Sequence, residues 1–312
     1  MSMTPESWIS RHSLMPSPEA AKRLTGAARD GVHMGVLLLA RDNAATIGRH
    51  LLLLQHGWPG GAAPWSEILV ADLGSSDATL EIAREHGATV IETSGLQTVS
   101  GIASGDGFVS GVERSKSDIL LVVPASIVRL ELDPVAALLA AMLDHPACRI
   151  AIGAESASGS ALSRLSLRPL LAAVCPELSV VSDPASPLLA VRPAEVKPLP
   201  LARTEGYEAA LAVDCWNLHG LESIVQVLVG ELQWAGGDPR QNPTHAFHCQ
   251  LAVLEALRRA GRIQVQGEFG HILPSPEEWT ESGPRVVSRL EVFDWKEDET
   301  AVKLKAWFDE RP

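Results

Sequence analysis

Short apolar runs recur along the first half of the chain, each followed by a polar or glycine-containing turn and a stretch of helical periodicity. Residues 34–40, 67–71, 88–92, 118–123 and 149–154 are rich in β-branched and aliphatic side chains and read as strands. Residues 46–54, 77–86 and 133–144 read as helices between them. Asp77 stands as a helix cap, Gly87 as the left-handed residue that ends that helix, and Asp133-Pro134 as an N-cap followed by proline at the first helical position. This alternation predicts an α/β fold with a mainly parallel sheet and flanking helices.

The second half is less regular. Residues 161–174 read as a helix interrupted by Pro169, and residues 182–200 as a proline-rich loop around a short strand at 188–191. Helices are expected at 205–219 and 244–259, with a strand at 221–229 between them. Arg258 and Arg259 close the last helix, where cations suit the helix dipole. The pattern divides the chain into an N-terminal extension (1–30) with one short helix near 19–24, a first α/β half (31–156), a second half of the same domain (157–273) and a C-terminal tail (274–312). Trp279, Trp295 and Trp307 in that tail are expected to pack on the body or on a partner subunit.

Candidate chemistry gathers at the end of the second strand. Asp72 lies at its carboxyl end, followed by Gly74, Ser75 and Ser76 in a tight turn. Open α/β sheets bind ligands at that edge. Asp72 is either a turn residue or the acceptor for a nucleotide base or ribose. Residues 94–111 are rich in glycine and serine, and read either as a surface loop or as a loop folded over a phosphate, although no Lys or Arg lies in it. His245, His248 and Cys249 share one helical face but lack a third ligand of known position. Asp183, Asp214 and His219 are possible acid–base groups with no spacing argument behind them.

With 312 residues, 46% hydrophobic, the chain is long enough for one large α/β domain or two smaller ones. A formal charge of −12 argues against nucleic acid or an anionic membrane as partner. The four cysteines form no CxxC pair, so neither a zinc ribbon nor a disulfide framework is expected. No apolar run matches a signal peptide or a membrane span, and a cytoplasmic protein is expected.

Taken in order, the segments resemble the GT-A-fold glycosyltransferases, and among them the glucosyl-3-phosphoglycerate synthases. The resemblance rests on the D-x-G-S-S-D-A-T run from Asp72, the glycine-rich segment, and the strand that runs from Ser117 and ends in Pro124-Ala125-Ser126. Arg168-Pro169-Leu170-Leu171, Asp183-Pro184-Ala185-Ser186 and Glu205-Gly206-Tyr207-Glu208 extend it, from about Trp8 to about Leu257. Such enzymes are retaining, use a nucleoside diphosphate sugar, and hold a divalent metal with a D-x-D motif. Here those two aspartate positions are Pro124 and Ser126. The family's metal-binding histidine falls at Trp234, the arginine just before it at Leu232, its diphosphate lysine at Asp106, and its acceptor-phosphate arginine at Ala161, with Ser163 for threonine. The first nucleotide motif stands as Leu39-Ala40-Arg41-Asp42-Asn43.

The resemblance therefore implies nucleotide-side positions at Ala40, Arg41, Asn43, Asp72, Ser75, Asp106 and Ser126. It implies Glu208 and Arg192 for the chemistry, with a structural ion pair as the other reading of Arg192. No metal cofactor is expected, because its ligands are replaced. Three functions stay open: glycosyl transfer without a metal from a nucleoside diphosphate sugar to a small-molecule acceptor, a catalytically inactive pseudo-glycosyltransferase acting in binding, and different chemistry in the same cleft. A homodimer is implied by the resemblance alone.

Overall fold

The structure, a computed structural model, describes residues 5–93, 97–98, 101–102, 104–264, 272–280 and 283–290. The chain opens with α1 (Pro5–His12), β1 (Ser13–Leu14) and α2 (Glu19–Arg29). There follow β2 (Met34–Ala40), α3 (Ala44–His56), β3 (Trp65–Asp72), α4 (Thr79–Glu85) and β4 (Thr89–Glu92). Two short strands, β5 (Gln97–Thr98) and β6 (Gly101–Ile102), precede α5 (Ser104–Arg114). Next come β7 (Ile119–Pro124), α6 (Leu132–Asp144), β8 (Ile150–Ala154), α7 (Arg168–Val174), β9 (Leu189–Val191) and α8 (Pro193–Val196). The series continues with α9 (Tyr207–His219), β10 (Ile224–Leu228), α10 (Pro243–Arg259) and the hairpin β11 (Ile272–Thr280) and β12 (Gly283–Leu290).

Eight strands form one sheet in the order β1-β10-β8-β9-β7-β2-β3-β4. Every pair is parallel except those of β9, which runs antiparallel to both β7 and β8. Strands β2 and β7 are buried at every position, as expected where helices cover both faces of a sheet. Side chains alternate between the faces. Leu37, Leu39, Leu120 and Val122 meet α5, α9 and α10 on one side. Val36, Leu38, Leu121 and Val123 meet α2, α3 and α6 on the other. Each such aliphatic side chain contributes about 1.5–3 kcal/mol on burial, and these layers hold the strand ends in place.

Several local expectations are corrected. The N-terminal segment is more structured than its polar composition suggests. Trp8 is fully buried and its Nε1 donates to the Leu221 carbonyl at 2.9 Å, while β1 extends the sheet beside β10. One large aromatic anchor outweighs a polar surround. The glycine-rich segment becomes a helix from Ser104 onward. A Cβ at Gly105 would overlap the Thr204 carbonyl, and one at Gly111 would overlap Leu37, so these glycines serve close packing. Pro169 does not break its helix. The π-helical turn Ser163–Leu167 runs directly into α7, and such a turn accommodates the missing proline N–H. Trp295 and Trp307 of the expected aromatic tail lie outside the described residues. No helix among the described residues is long and apolar enough to cross a membrane.

Candidate active site

From β2 the chain adds β3 and β4 on one side and then crosses to β7 on the other, so the direction of sheet growth reverses between β2 and β7. Ligands of open α/β sheets bind outside the carboxyl ends of the strands at such a point. The residues gathered there are Ala40 to Asn43 after β2, Asp72 to Ser75 after β3, and Pro124 to Ser126 after β7. Ala40, Arg41, Asn43, Asp72, Ser75 and Ser126 are thus brought to one edge.

The two loops beside β2 and β3 are tied together. Asp72, 8% exposed, accepts the Ser75 amide at Oδ1 (2.9 Å), while its Oδ2 has no hydrogen bond among the described residues. Asp42 adopts φ +52°, in the left-handed region that aspartate tolerates better than most residues. Its amide donates to Ser75 Oγ (3.2 Å) and its Oδ1 accepts the Ser76 amide (2.7 Å). Asn43 Oδ1 accepts the Arg41 amide at 2.9 Å, and the Asn43 amide donates to Thr79 Oγ1 at 2.7 Å. Asp77 stands one residue ahead of the cap position of α4, which Ala78 takes; it accepts the Thr79 amide and also the Ala44 amide at 3.0 Å, which joins the starts of α3 and α4. The result is a preorganised edge of backbone and short polar side chains around one carboxylate oxygen that can accept a ligand's hydrogen bond.

Asp106 is placed in the first turn of α5, whose Gly107 packs against Leu39 and Leu73 beside this edge. It is buried and pairs with Arg203 at 2.7 Å, so its charge is matched. The start of α5 is also occupied: Glu205 accepts the Ser104 amide (3.1 Å) and hydroxyl (2.6 Å). Burial alone would raise the Glu205 pKa. Hydrogen bonds from His245 and Ser104, with the His245 charge, outweigh that and hold it at about 2.

Glu208 lies in the first turn of α9, 4% exposed, with Oε2 lacking a partner among the described residues. Burial pushes it up to about 8, against the attraction of His245. It is therefore a neutral carboxyl at pH 7, able to donate a hydrogen bond.

Arg192 does not reach the site. Antiparallel β9 carries it to the amino ends of its neighbours, where it donates to the carbonyls of Cys148 (3.1 Å) and Met142 (2.5 Å). There it ties α6 to the start of β8 through carbonyls rather than through an ion pair.

The structure adds two cations that no local signal marked. Arg203 is one. The other is Arg240, 4% exposed, held by Asp238 (2.9 Å) and Glu155 (2.7 Å), with Asp183 at 3.6 Å. Asp183 also accepts Ser160 and Ser163 hydroxyls, so it is committed to a buried network, and burial raises its pKa. Asp214 is bound by Arg259 at 3.0 Å, and burial raises it to about 6. Trp234 bridges Ile127, next to Ser126, and its ring lies 5.1 Å from the Arg240 guanidinium.

Among the described residues, no group of three His, Cys, Asp or Glu side chains could hold a metal ion, at Ser126 or at His245, His248 and Cys249. His245 is turned to Glu205, 3.5 Å away.

No family model matches the chain. A glucosyl-3-phosphoglycerate synthase from Petrotoga mobilis is 28% identical over 255 residues, covering 77% of this chain and 78% of the relative. One from Mycolicibacterium smegmatis is 28% identical over 237 residues, covering 72% and 77%. Among solved structures, mannosyl-3-phosphoglycerate synthase from Rubrobacter xylanophilus superposes with a TM-score of 0.77 at 21% identity, over 93% of this chain and 96% of that one. Glucosyl-3-phosphoglycerate synthase from Mycobacterium tuberculosis in complex with Mn2+ and UDP-glucose gives 0.74 at 21% identity, over 91% and 95%. The chain has the GT-A glycosyltransferase fold and resembles the glucosyl-3-phosphoglycerate synthases in sequence.

The expectation that no metal takes part is overturned by these neighbours, one of which holds Mn2+ together with its sugar nucleotide. A small divalent cation is commonly held by substrate phosphates and waters with few side chains, so replaced protein ligands do not exclude one. The described side chains of this chain do not themselves form a cluster of metal ligands.

Proposed function

We propose that this chain transfers a glycosyl group from a nucleoside diphosphate sugar to a hydroxyl of a small acceptor. The observation that carries the reading is the cross-linked pair of loops at the switch point, which leaves Asp72 Oδ2 open to a nucleotide base or ribose. Arg41, which follows β2, brings a positive side chain to the same edge, where the charge of a diphosphate must be matched. In the transfer, the acceptor oxygen bonds to the anomeric carbon, the bond to the diphosphate oxygen breaks, and the acceptor's proton leaves to the diphosphate or solvent. Glu208, neutral at pH 7, serves as hydrogen-bond donor to a sugar hydroxyl. 3-Phosphoglycerate is the first acceptor to assay, since the relatives carry it in their names.

The test is calorimetric titration of UDP-glucose and GDP-mannose with Mn2+ present and after chelation, followed by a product assay with 3-phosphoglycerate. One of the two donors is expected to bind at micromolar concentration. Asp72→Asn keeps an acceptor for the Ser75 amide and is expected to weaken that binding about tenfold, the loss of one charge-assisted hydrogen bond. Absence of binding by either donor with Mn2+ present would overturn the reading.

A second reading, binding without turnover, is favoured by one observation: the Trp234 indole stands beside the end of β7, bridged to Ile127. It predicts donor binding with no product for any acceptor.

A further inference from the structure

We propose that the chain carries a second ligand site, for a small amphipathic monoanion of the medium-chain carboxylate type, in a cavity walled by its N-terminal segment. The cavity holds about 360 Å³ and opens beyond the carboxyl ends of β8 and β10, where β1 lies against β10. That volume is within the range of small-molecule sites. The strand order puts β10 and β3 five strand steps apart, roughly 24 Å at the usual spacing, so this is not the Asp72 edge.

Its walls are mainly apolar, with Leu14, Val180 and Leu228 among them. Its polar groups point to an anion. Arg168 is held by backbone carbonyls, with Nε on Ser179 O at 3.1 Å and Nη1 on Ser158 O at 3.3 Å. Its Nη2 has no hydrogen-bond partner among the described residues, and no carboxylate among them lines the cavity, in a chain of formal charge −12. Gln226 is held at both ends: Oε1 accepts the Ser182 amide (2.8 Å) and Nε2 donates to Ser13 Oγ (2.7 Å). Ser13, accepting from Gln226, keeps its own hydroxyl hydrogen to donate. One cation and one hydroxyl donor above an apolar wall suit a carboxylate head on a hydrocarbon body. A carboxylate matches the guanidinium's charge and fork of donors, and a cationic ligand would be repelled.

The site is also joined to the buried network described above. Ser182 lines the cavity and is followed by Asp183, which holds Ser160 and Ser163 and faces Arg240. A ligand in the cavity therefore touches Ser182, the chain neighbour of Asp183 in that network.

Octanoate, octanol and octylamine, titrated separately into the full chain and its variants, test the site. In the wild type, octanoate is expected to bind at least about tenfold more tightly than octanol, with octylamine weakest. Arg168→Gln should remove the octanoate advantage, and Leu228→Trp, which fills the cavity, should remove binding of all three. UDP-glucose should not displace octanoate. Octanoate binding no tighter than octanol, or unchanged by either variant, or competitive with UDP-glucose, would overturn the proposal, as would no binding at millimolar concentration. Should Arg168→Gln fail to fold, the wild-type ligand series and Leu228→Trp still decide.

Discussion

Asp72 and Glu208 are both buried carboxyls, and they differ in what their oxygens touch. Asp72 rests one oxygen on the Ser75 amide, whereas Glu208 Oε2 is enclosed without a partner among the described residues. The Glu208 pKa of about 8 exceeds its ordinary value of 4.5, so the folded state holds a proton that the unfolded chain releases. Its effect on stability is absent below about pH 4.5 and grows unfavourably as pH rises towards 8. Glu208→Gln is therefore expected to raise the melting temperature relative to wild type at pH 9 and to give no gain at pH 4. A difference that does not vary with pH would remove burial of this carboxyl as its cause. The Asp106–Arg203 pair obeys a related rule. Arg203→Met leaves a buried carboxylate without its cation and is expected to lose about 1–3 kcal/mol in denaturant unfolding.

Glycine in helices separates packing from propensity at the level of the element. Gly26 in α2 has nothing within 4 Å of where a Cβ would stand, while Gly111 in α5 would drive a Cβ into Leu37. Gly26→Ala is expected to stabilise by about 0.5–1 kcal/mol through helix propensity. Gly111→Ala gains the same propensity but overpacks the sheet, and is expected to lose about 1 kcal/mol net. Urea unfolding of the two variants reads both signs. If both stabilise, α5 does not sit as close to β2 as described. The strand β9 shows the same dependence on neighbours. Its three buried residues are apolar enough for either direction, and insertion between β7 and β8 sends Arg192 to the edge opposite the site.

Across the whole molecule, the N-terminal segment closes one side of the sheet. Trp8 sits in the same core as α9, and β1 supplies an edge strand and a cavity wall. Trp8→Ala is expected to destabilise by about 3–5 kcal/mol and to expose the segment ahead of α2 to limited proteolysis. An intact, equally stable variant would show that the segment contributes little to the core.

Much of the fold was legible in the sequence because its central strands are buried on both faces. Such strands read as unbroken apolar runs, and turn residues such as Gly87 and Asp72 follow backbone rules that act within a few positions. The expected edge around Asp72, Asn43 and Ser75 came from those runs together with the family resemblance. What only the tertiary structure decided involves groups far apart in the chain. Asp106 meets an arginine 97 positions later, Glu205 caps a helix 101 positions earlier, and Arg240 closes on Glu155 across 85. Charge matching and close approach depend on which elements come together. The pattern along the chain determined the layers of this protein, and three-dimensional packing determined which of its charges are paired, which acids are neutral, and which side chains reach the site.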